Sequence, residues 1–186
     1  MNAGKSAHLI QSSFNYNEKG MDTLCFLPEV SFRAMGGKIA SRTGISLVPV
    51  CLSAGMDVAA YVAQDTQKAG KKRACILVDE AQFLTKNQVK QLCHIVDQQN
   101  IPVLCYGLRT DFKGDLFEGS DSLLAWADHL HEIKTICFCG RKATMTLRIA
   151  ADGAVDASGQ QIECGGNERY VSVCRDHHTQ RCWQIL

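Results

Sequence analysis

The chain has 186 residues, 46% of them hydrophobic, enough to bury one good core and a small appended module. Its 20 Lys and Arg against 19 Asp and Glu leave a net charge of +1, with the signs interspersed, which argues against a broad cationic face for nucleic acid or anionic membrane. No apolar run approaches the roughly 20 residues that span a bilayer, and no signal-peptide pattern is present, so a cytoplasmic chain is expected.

In chain order, Lys5 to about Asn17 reads as a helix closed by Gly20, and "DTLCFL" (Asp22 to Leu27) as a strand. The polar, glycine-bearing "PEVSFRAMGGKIASRTG" reads as a flexible loop, and "ISLVPV" as a short or edge strand because of Pro49. "GMDVAAYVAQDTQKAG" is a helix ended by Gly70, and "ACILVDE" a buried strand running into two carboxylates. Thr85 and Gln88 have capping-box spacing ahead of the stripe Val89, Leu92, Cys93 and Val96. "IPVLCYGL" reads as a strand, "DSLLAWADHL" as a helix and "EIKTICF" as a last buried strand. The alternation predicts an α/β fold, a parallel sheet with helices on both faces. Beyond Phe138 the pattern turns to short alternating pieces, "TMTLRI" and "RYVSVC", so a P-loop domain over 1–136 and a small β module over 137–186 are expected.

Three constellations carry chemistry. Gly4, Lys5 and Ser6 are the tail of a phosphate-binding loop: backbone amides cradle phosphates, the lysine reaches the β and γ phosphates and the serine ligates Mg²⁺. Asp79 and Glu80 end an apolar strand, where a carboxylate can help hold the Mg²⁺ shell. Of the ten cysteines, Cys25, Cys51, Cys75, Cys93 and Cys105 sit singly in apolar runs and read as core, while the rest crowd into the last quarter. There Cys137 and Cys139, followed by Cys174 and His177, have the layout of a closed tetrahedral zinc site, structural rather than catalytic, with His178 and Cys182 as rival fourth ligands.

Together "MNAGKS", "VDEAQF", "GLRTDFKGDLF", "CFCGRKA" and "GGNERYVSVCRDHH" resemble the type II, zinc-containing thymidine kinases, especially their bacterial branch, across nearly the whole chain. The resemblance implies a P-loop domain with a zinc-held module bearing a lasso loop, assembled as a homotetramer, in nucleotide salvage. The reaction it implies is transfer of the ATP γ-phosphoryl group to the 5′-hydroxyl of thymidine. It assigns Glu80 as general base, and Asn2, Ala3, Gly4, Lys5, Ser6, Arg33, Asp79 and Gln82 to ATP and Mg²⁺. For the nucleoside it implies Leu108, Phe112 and Phe117, the lasso residues Gln161, Ile162, Glu163, Cys164 and Gly165, whose main chain would read the base edge, and Tyr170. One departure stands out: the family has an acid two residues before its arginine, and Ser31 occupies that place ahead of Arg33, which implies a looser loop or slower turnover.

Two other readings compete. A P-loop ATPase with a zinc ribbon acting on nucleic acid would use Asp79 and Glu80 to align water, and a truncated, inactive kinase would keep only the fold. The second arises because Gly4-Lys5-Ser6 has neither the preceding strand nor the loop's first glycine ahead of it. The expectation is that Met1 is an internal methionine, that about ten upstream residues complete the loop, and that their strand lies beside the strand carrying Asp79.

Overall fold

The computed structural model describes residues 3–41, 44–162 and 169–183. Asn2, Glu163, Cys164 and Gly165 therefore lie outside the described residues. By contact, the chain divides into two compact units, one of 4–107 with 118–130, the other of 1–3, 108–117 and 131–186.

The larger unit opens with α1 (Lys5–Glu18), whose N-cap Gly4 has φ 81. That left-handed conformation suits a residue without Cβ, and it turns the chain into the helix directly ahead of Lys5. There follow β1 (Thr23–Pro28), α2 (Glu29–Ala34), β2 (Ile39–Ala40), β3 (Ser46–Leu47), β4 (Val50–Leu52), α3 (Val58–Ala69), β5 (Cys75–Val78), a 3₁₀ turn (Ala81–Phe83), α4 (Lys86–Gln99), β6 (Val103–Cys105) and α5 (Glu118–Trp126). Strands β4, β1, β5 and β6 pair in that order, all in parallel.

Period-two alternation sorts the sheet's side chains between two cores. Leu24, Phe26, Ile76 and Val78 face Val58 and Val62 of α3 and Val89, Leu92 and Ile95 of α4. Cys25, Leu27, Cys75 and Leu77 face Leu9 and Ile10 of α1. Helices thus cover both faces, as the sequence pattern predicts. Local signals set the helix ends: Asp57 accepts from the Ala60 amide at 2.9 Å, and Gly70 ends α3 at φ 66. The Thr85–Gln88 capping box is formed, at 3.2 and 3.1 Å, and the Glu118 carboxylate accepts from the Lys86 amide at 2.9 Å.

Several expectations give way. The stretch read as a flexible loop holds α2 and β2, and β2 pairs antiparallel with β3 just beyond it. "ISLVPV" splits between two sheets, β3 in that pair and β4 in the parallel sheet, because Pro49 lacks an amide and restricts Val48. "DSLLAWADHL" is helical only to Trp126, and its helix starts earlier, at Glu118. Among the cysteines read as core, Cys51, Cys93 and Cys105 are half-buried rather than buried. Finally, the Asp79 strand has β1 on one side and β6 on the other, so the expected upstream strand has no place beside it.

The smaller unit contains β7 (Met145–Arg148) and β8 (Tyr170–Val173), antiparallel, then α6 (Arg175–Gln180). Its core joins Cys137, Ala143, Leu147, Ile149, Val173 and Cys174. "EIKTICF" forms no strand: Ile136 is 74% exposed, and the backbone instead folds into a knuckle, with Cys137 N donating to Arg141 O at 2.8 Å and Gly140 N to Cys137 O at 2.8 Å. Turning Cys137 and Cys139 towards one point consumes the hydrogen bonds that a sheet strand would need.

Candidate active site and metal centre

In the larger unit the start of α1 and the end of β5 meet. Ser6 Oγ donates to Asp79 Oδ2 at 2.7 Å, and Lys5 Nζ stands 4.0 Å from Glu80 Oε1. Asp79 is fully buried. Its burial raises its pKa, the Glu80 carboxylate raises it further, and the bonds from Ser6 and the Glu80 amide, with the Lys5 charge, oppose the rise. A buried carboxylate of this kind is poised for a cation, which would relieve the penalty.

Glu80 leaves the strand in the left-handed region, φ 49 and ψ 40, a conformation that costs a residue bearing a Cβ and that persists only where its surroundings hold it. They do so on both sides. Asp79 N donates to Phe26 O at 3.1 Å, and Ala81 N donates to Tyr106 O at 2.9 Å. The twist separates the two carboxylates, leaving Asp79 buried and Glu80 partly open, its side chain 23% exposed. Gln82, assigned above to ATP and Mg²⁺, donates its Nε2 to Glu80 Oε2 at 2.6 Å. Gly119 lets α5 approach this turn: a Cβ there would fall 2.8 Å from Gln82 O and 2.9 Å from Leu84 O.

Arg33 lies apart from this group of contacts. It is exposed and paired with Glu29 one turn earlier on α2. The serine two positions before it therefore does not leave it without a carboxylate. Ala3, ahead of the loop, is half-buried.

In the smaller unit Cys137, Cys139, Cys174 and His177 converge, their ligand atoms all within 4.8 Å of one another. Cys137 Sγ is 3.3 Å and Cys174 Sγ 3.5 Å from His177 Nδ1, and the Cys139 and Cys174 sulfurs are 4.0 Å apart. A tetrahedron with zinc–sulfur bonds of about 2.3 Å has edges of about 3.8 Å, so donor type and spacing both fit zinc. Burial opposes ionisation of Cys137, but the Cys139 amide, the His177 ring and the Cys174 amide outweigh it and bring the thiol down to about 6. Phe138 stacks on His177 with ring centroids 4.3 Å apart, fixing the imidazole. The rival ligands stand outside this group. His178 Nε2 is bonded to Phe112 O at 2.9 Å.

Of the residues assigned to the nucleoside, Phe112 and Phe117 are buried, Leu108 and Tyr170 half-buried, and Gln161 and Ile162 exposed. Gln161 Nε2 donates to Asp111 Oδ2 at 3.1 Å and to Leu116 O at 3.2 Å, tying the start of the lasso to the Phe112 turn. Neither this tie nor the Gln82 contact to Glu80 follows from the sequence. For the second, the sequence signal is a glutamine two residues beyond Glu80.

A parallel sheet covered on both faces, a Gly-Lys-Ser helix start and a buried carboxylate at the neighbouring strand end define a nucleoside-triphosphate-binding α/β protein. The family profile described as "Thymidine kinase" matches residues 1–178. Curated thymidine kinases are similar throughout. That of Photorhabdus laumondii is 52% identical over 97% of this chain and 89% of its own length, that of Rhodopirellula baltica 53% over 99% and 86%, and that of Mannheimia succiniciproducens 53% over 100% and 94%. The chain belongs to the thymidine kinase family.

Proposed function

We propose that this protein transfers the γ-phosphoryl group of ATP to the 5′-hydroxyl of thymidine, giving dTMP. Family membership supplies the reaction. The observation that carries it to these residues is the Ser6–Asp79 bond at 2.7 Å with Lys5 and Glu80 alongside. Phosphoryl transfer proceeds through a loose transition state, so positioning and charge neutralisation do most of the catalysis. Gly4, Lys5 and Ser6, with Ala3 and Asn2 ahead of them, bind the phosphates; Arg33 adds an exposed positive charge. Ser6 and Asp79 are the residues that would hold Mg²⁺, which would supply neutralisation of the charge that develops on the phosphates.

Glu80 accepts the proton of the 5′-hydroxyl. It is turned away from Asp79 by its left-handed backbone and steadied by Gln82, which also stands on the ATP and Mg²⁺ side of the site. Phe112, Leu108, Phe117 and Tyr170 surround the base, and the main chain of Gln161 to Gly165 reads its edge; buried amides left unpaired by a wrong base supply the selectivity. Cys137, Cys139, Cys174 and His177 hold a structural zinc ion, closing the ends of a module whose apolar cluster is small. The protein works in the cytoplasm as a homotetramer, without nucleic acid or membrane. Among the described residues no helix is long and apolar enough to cross a membrane.

The test is dTMP formation from ATP and thymidine, beside ATP hydrolysis without nucleoside and with added DNA. Equimolar dTMP and ADP with little idle hydrolysis supports the reading. DNA-stimulated hydrolysis without dTMP replaces it with an ATPase.

A further inference from the structure

Arg148 ends β7 with its side chain fully buried, a place a guanidinium occupies only when its donors are met. Nε donates to Asp156 Oδ2 at 2.8 Å, Nη1 to Gln160 O at 2.9 Å, and Nη2 to Ser158 O. The guanidinium carbon lies 3.8 Å from the centroid of the Phe112 ring. Arg148 is also the register partner of Tyr170 across the β7–β8 ladder, and residues directly opposite in an antiparallel pair leave the same face. Met145, Leu147 and Ile149 belong to the module's apolar cluster. Arg148 alternates with them and faces the other way.

One side chain thereby joins two segments that are loops in sequence. The first is the Phe112 turn, ordered by Asp111 Oδ1 accepting from the amides of Lys113 and Asp115 at 2.8 and 2.9 Å. The second is the run from Asp156 to Gln160 that leads into the lasso, where Asp156 Oδ1 accepts from the Ser158 amide at 2.9 Å. Lys113 Nζ adds a bond to Gly159 O at 3.1 Å.

We propose that Arg148 is a positioning residue for the nucleoside base, holding the Phe112 ring and the carbonyls of Ser158 and Gln160 in one register so that the lasso meets the base at a fixed height above the ring. This rests on the thymidine reading of the site. Arginine suits the task because its planar fork serves a carboxylate and two carbonyls edge-on while its flat face stays on the ring. A lysine ammonium keeps the charge but cannot do both.

The experiment compares Arg148→Lys, Asp156→Asn and Phe112→Leu, singly and with Arg148→Lys in the Phe112→Leu background, by steady-state kinetics and zinc analysis. In Arg148→Lys, thymidine KM should rise about tenfold or more, with kcat within about twofold and ATP KM and zinc unchanged, the pattern of lost uniform binding. Asp156→Asn keeps the guanidinium and should show the same split at about threefold. In the Phe112→Leu background the Arg148→Lys effect should shrink below about threefold, since the ring it holds is gone. An unchanged thymidine KM overturns the proposal, as does an equal rise in both backgrounds. So does joint loss of zinc and ATP affinity in Arg148→Lys with Asp156→Asn unaffected. If the unsubstituted protein makes no dTMP, the thymidine reading fails first; if it does and these variants keep their KM, only the role of Arg148 fails.

Discussion

Replacing Asp79 by Asn should make the ligand-free protein more stable and its complex with nucleotide weaker. The carboxylate has no exposed surface, and burial first, then Glu80, raise its pKa. Its ionised form is thus disfavoured by folding. Asn keeps the shape and both contacts: its carbonyl can accept from the Glu80 amide, as Oδ1 does at 3.0 Å, and its amide can donate to Ser6 Oγ, which now donates to Oδ2 at 2.7 Å. What disappears is the buried charge, worth about 1–2 kcal/mol when incompletely compensated. At about 2–4 °C per kcal/mol for a chain of this length, the melting midpoint should rise by about 2–8 °C.

The sign of the pH dependence follows from the raised folded-state pKa. Above it the group is charged in both states and the penalty is complete; below the ordinary carboxylate value of 3.8 it is neutral in both and the penalty is gone. The gap between variant and parent should therefore be widest at about pH 8 and shrink on acidification. With Mg-ATP added, the parent's midpoint should climb by linkage while that of the variant barely moves. Differential scanning calorimetry across pH, with and without Mg-ATP, reads all three. A variant that melts below the parent without ligand, or a gap that widens on acidification, refutes the electrostatic argument. An equal Mg-ATP shift in both refutes the metal-side role.

Glu80→Gln retains size and the Gln82 contact but not the proton acceptor; kcat should fall about 10²-fold or more with thymidine KM near the parent value, and near-normal turnover would move the base elsewhere. Metal analysis should find about one zinc per chain, lost in Cys174→Ser but kept in His178→Ala, whose ring serves Phe112 instead; zinc lost only in the latter would reassign the fourth ligand. Thr85→Ala breaks the capping box of α4 and should cost about 1 kcal/mol, seen as a midpoint lower by about 2–4 °C, whereas no change would mean that the Glu118 contact alone suffices.

What was legible in the sequence is what neighbouring letters decide. The capping box, the Gly70 stop, the two-faced sheet and the cysteine pairs depend on spacings of two to four residues, and spacing is what a sequence displays. Helix α2 also carries local signals: Pro28 before Glu29, with Arg33 four residues further on, is a start signal, a dipole match and an i,i+4 pair. The adjacent glycines Gly36 and Gly37, which made the stretch look like a loop, only end that helix, with φ 64 and 75. The Gln82 hold on Glu80 and the Arg148 clamp were not legible. The first depends on the left-handed turn at Glu80, held by the backbone of Phe26 and Tyr106 far away in sequence; the second depends on contacts with segments that composition marks only as loop, and an arginine in an alternating strand carries no sign of which side it faces.

Arg33 shows how a local geometry can make a missing acid irrelevant. Residues two apart on a helix point about 200° from each other, so a side chain at position 31 and one at 33 cannot share a face. Ser31 is buried and Arg33 exposed, and an acid at position 31 would be a carboxylate out of water, expensive without a partner. Glu29 lies one turn back on the exposed side, where pairing with Arg33 is cheap. With the arginine side chain 78% exposed, that pair contributes a few tenths of a kcal/mol at most. So weak a hold neither fixes the guanidinium nor withholds it. On the proposed reading, a triphosphate, with more charge and a bidentate edge to offer, outcompetes Glu29 for Arg33. The serine then removes no carboxylate that Arg33 needs, and the arginine stays available to the nucleotide.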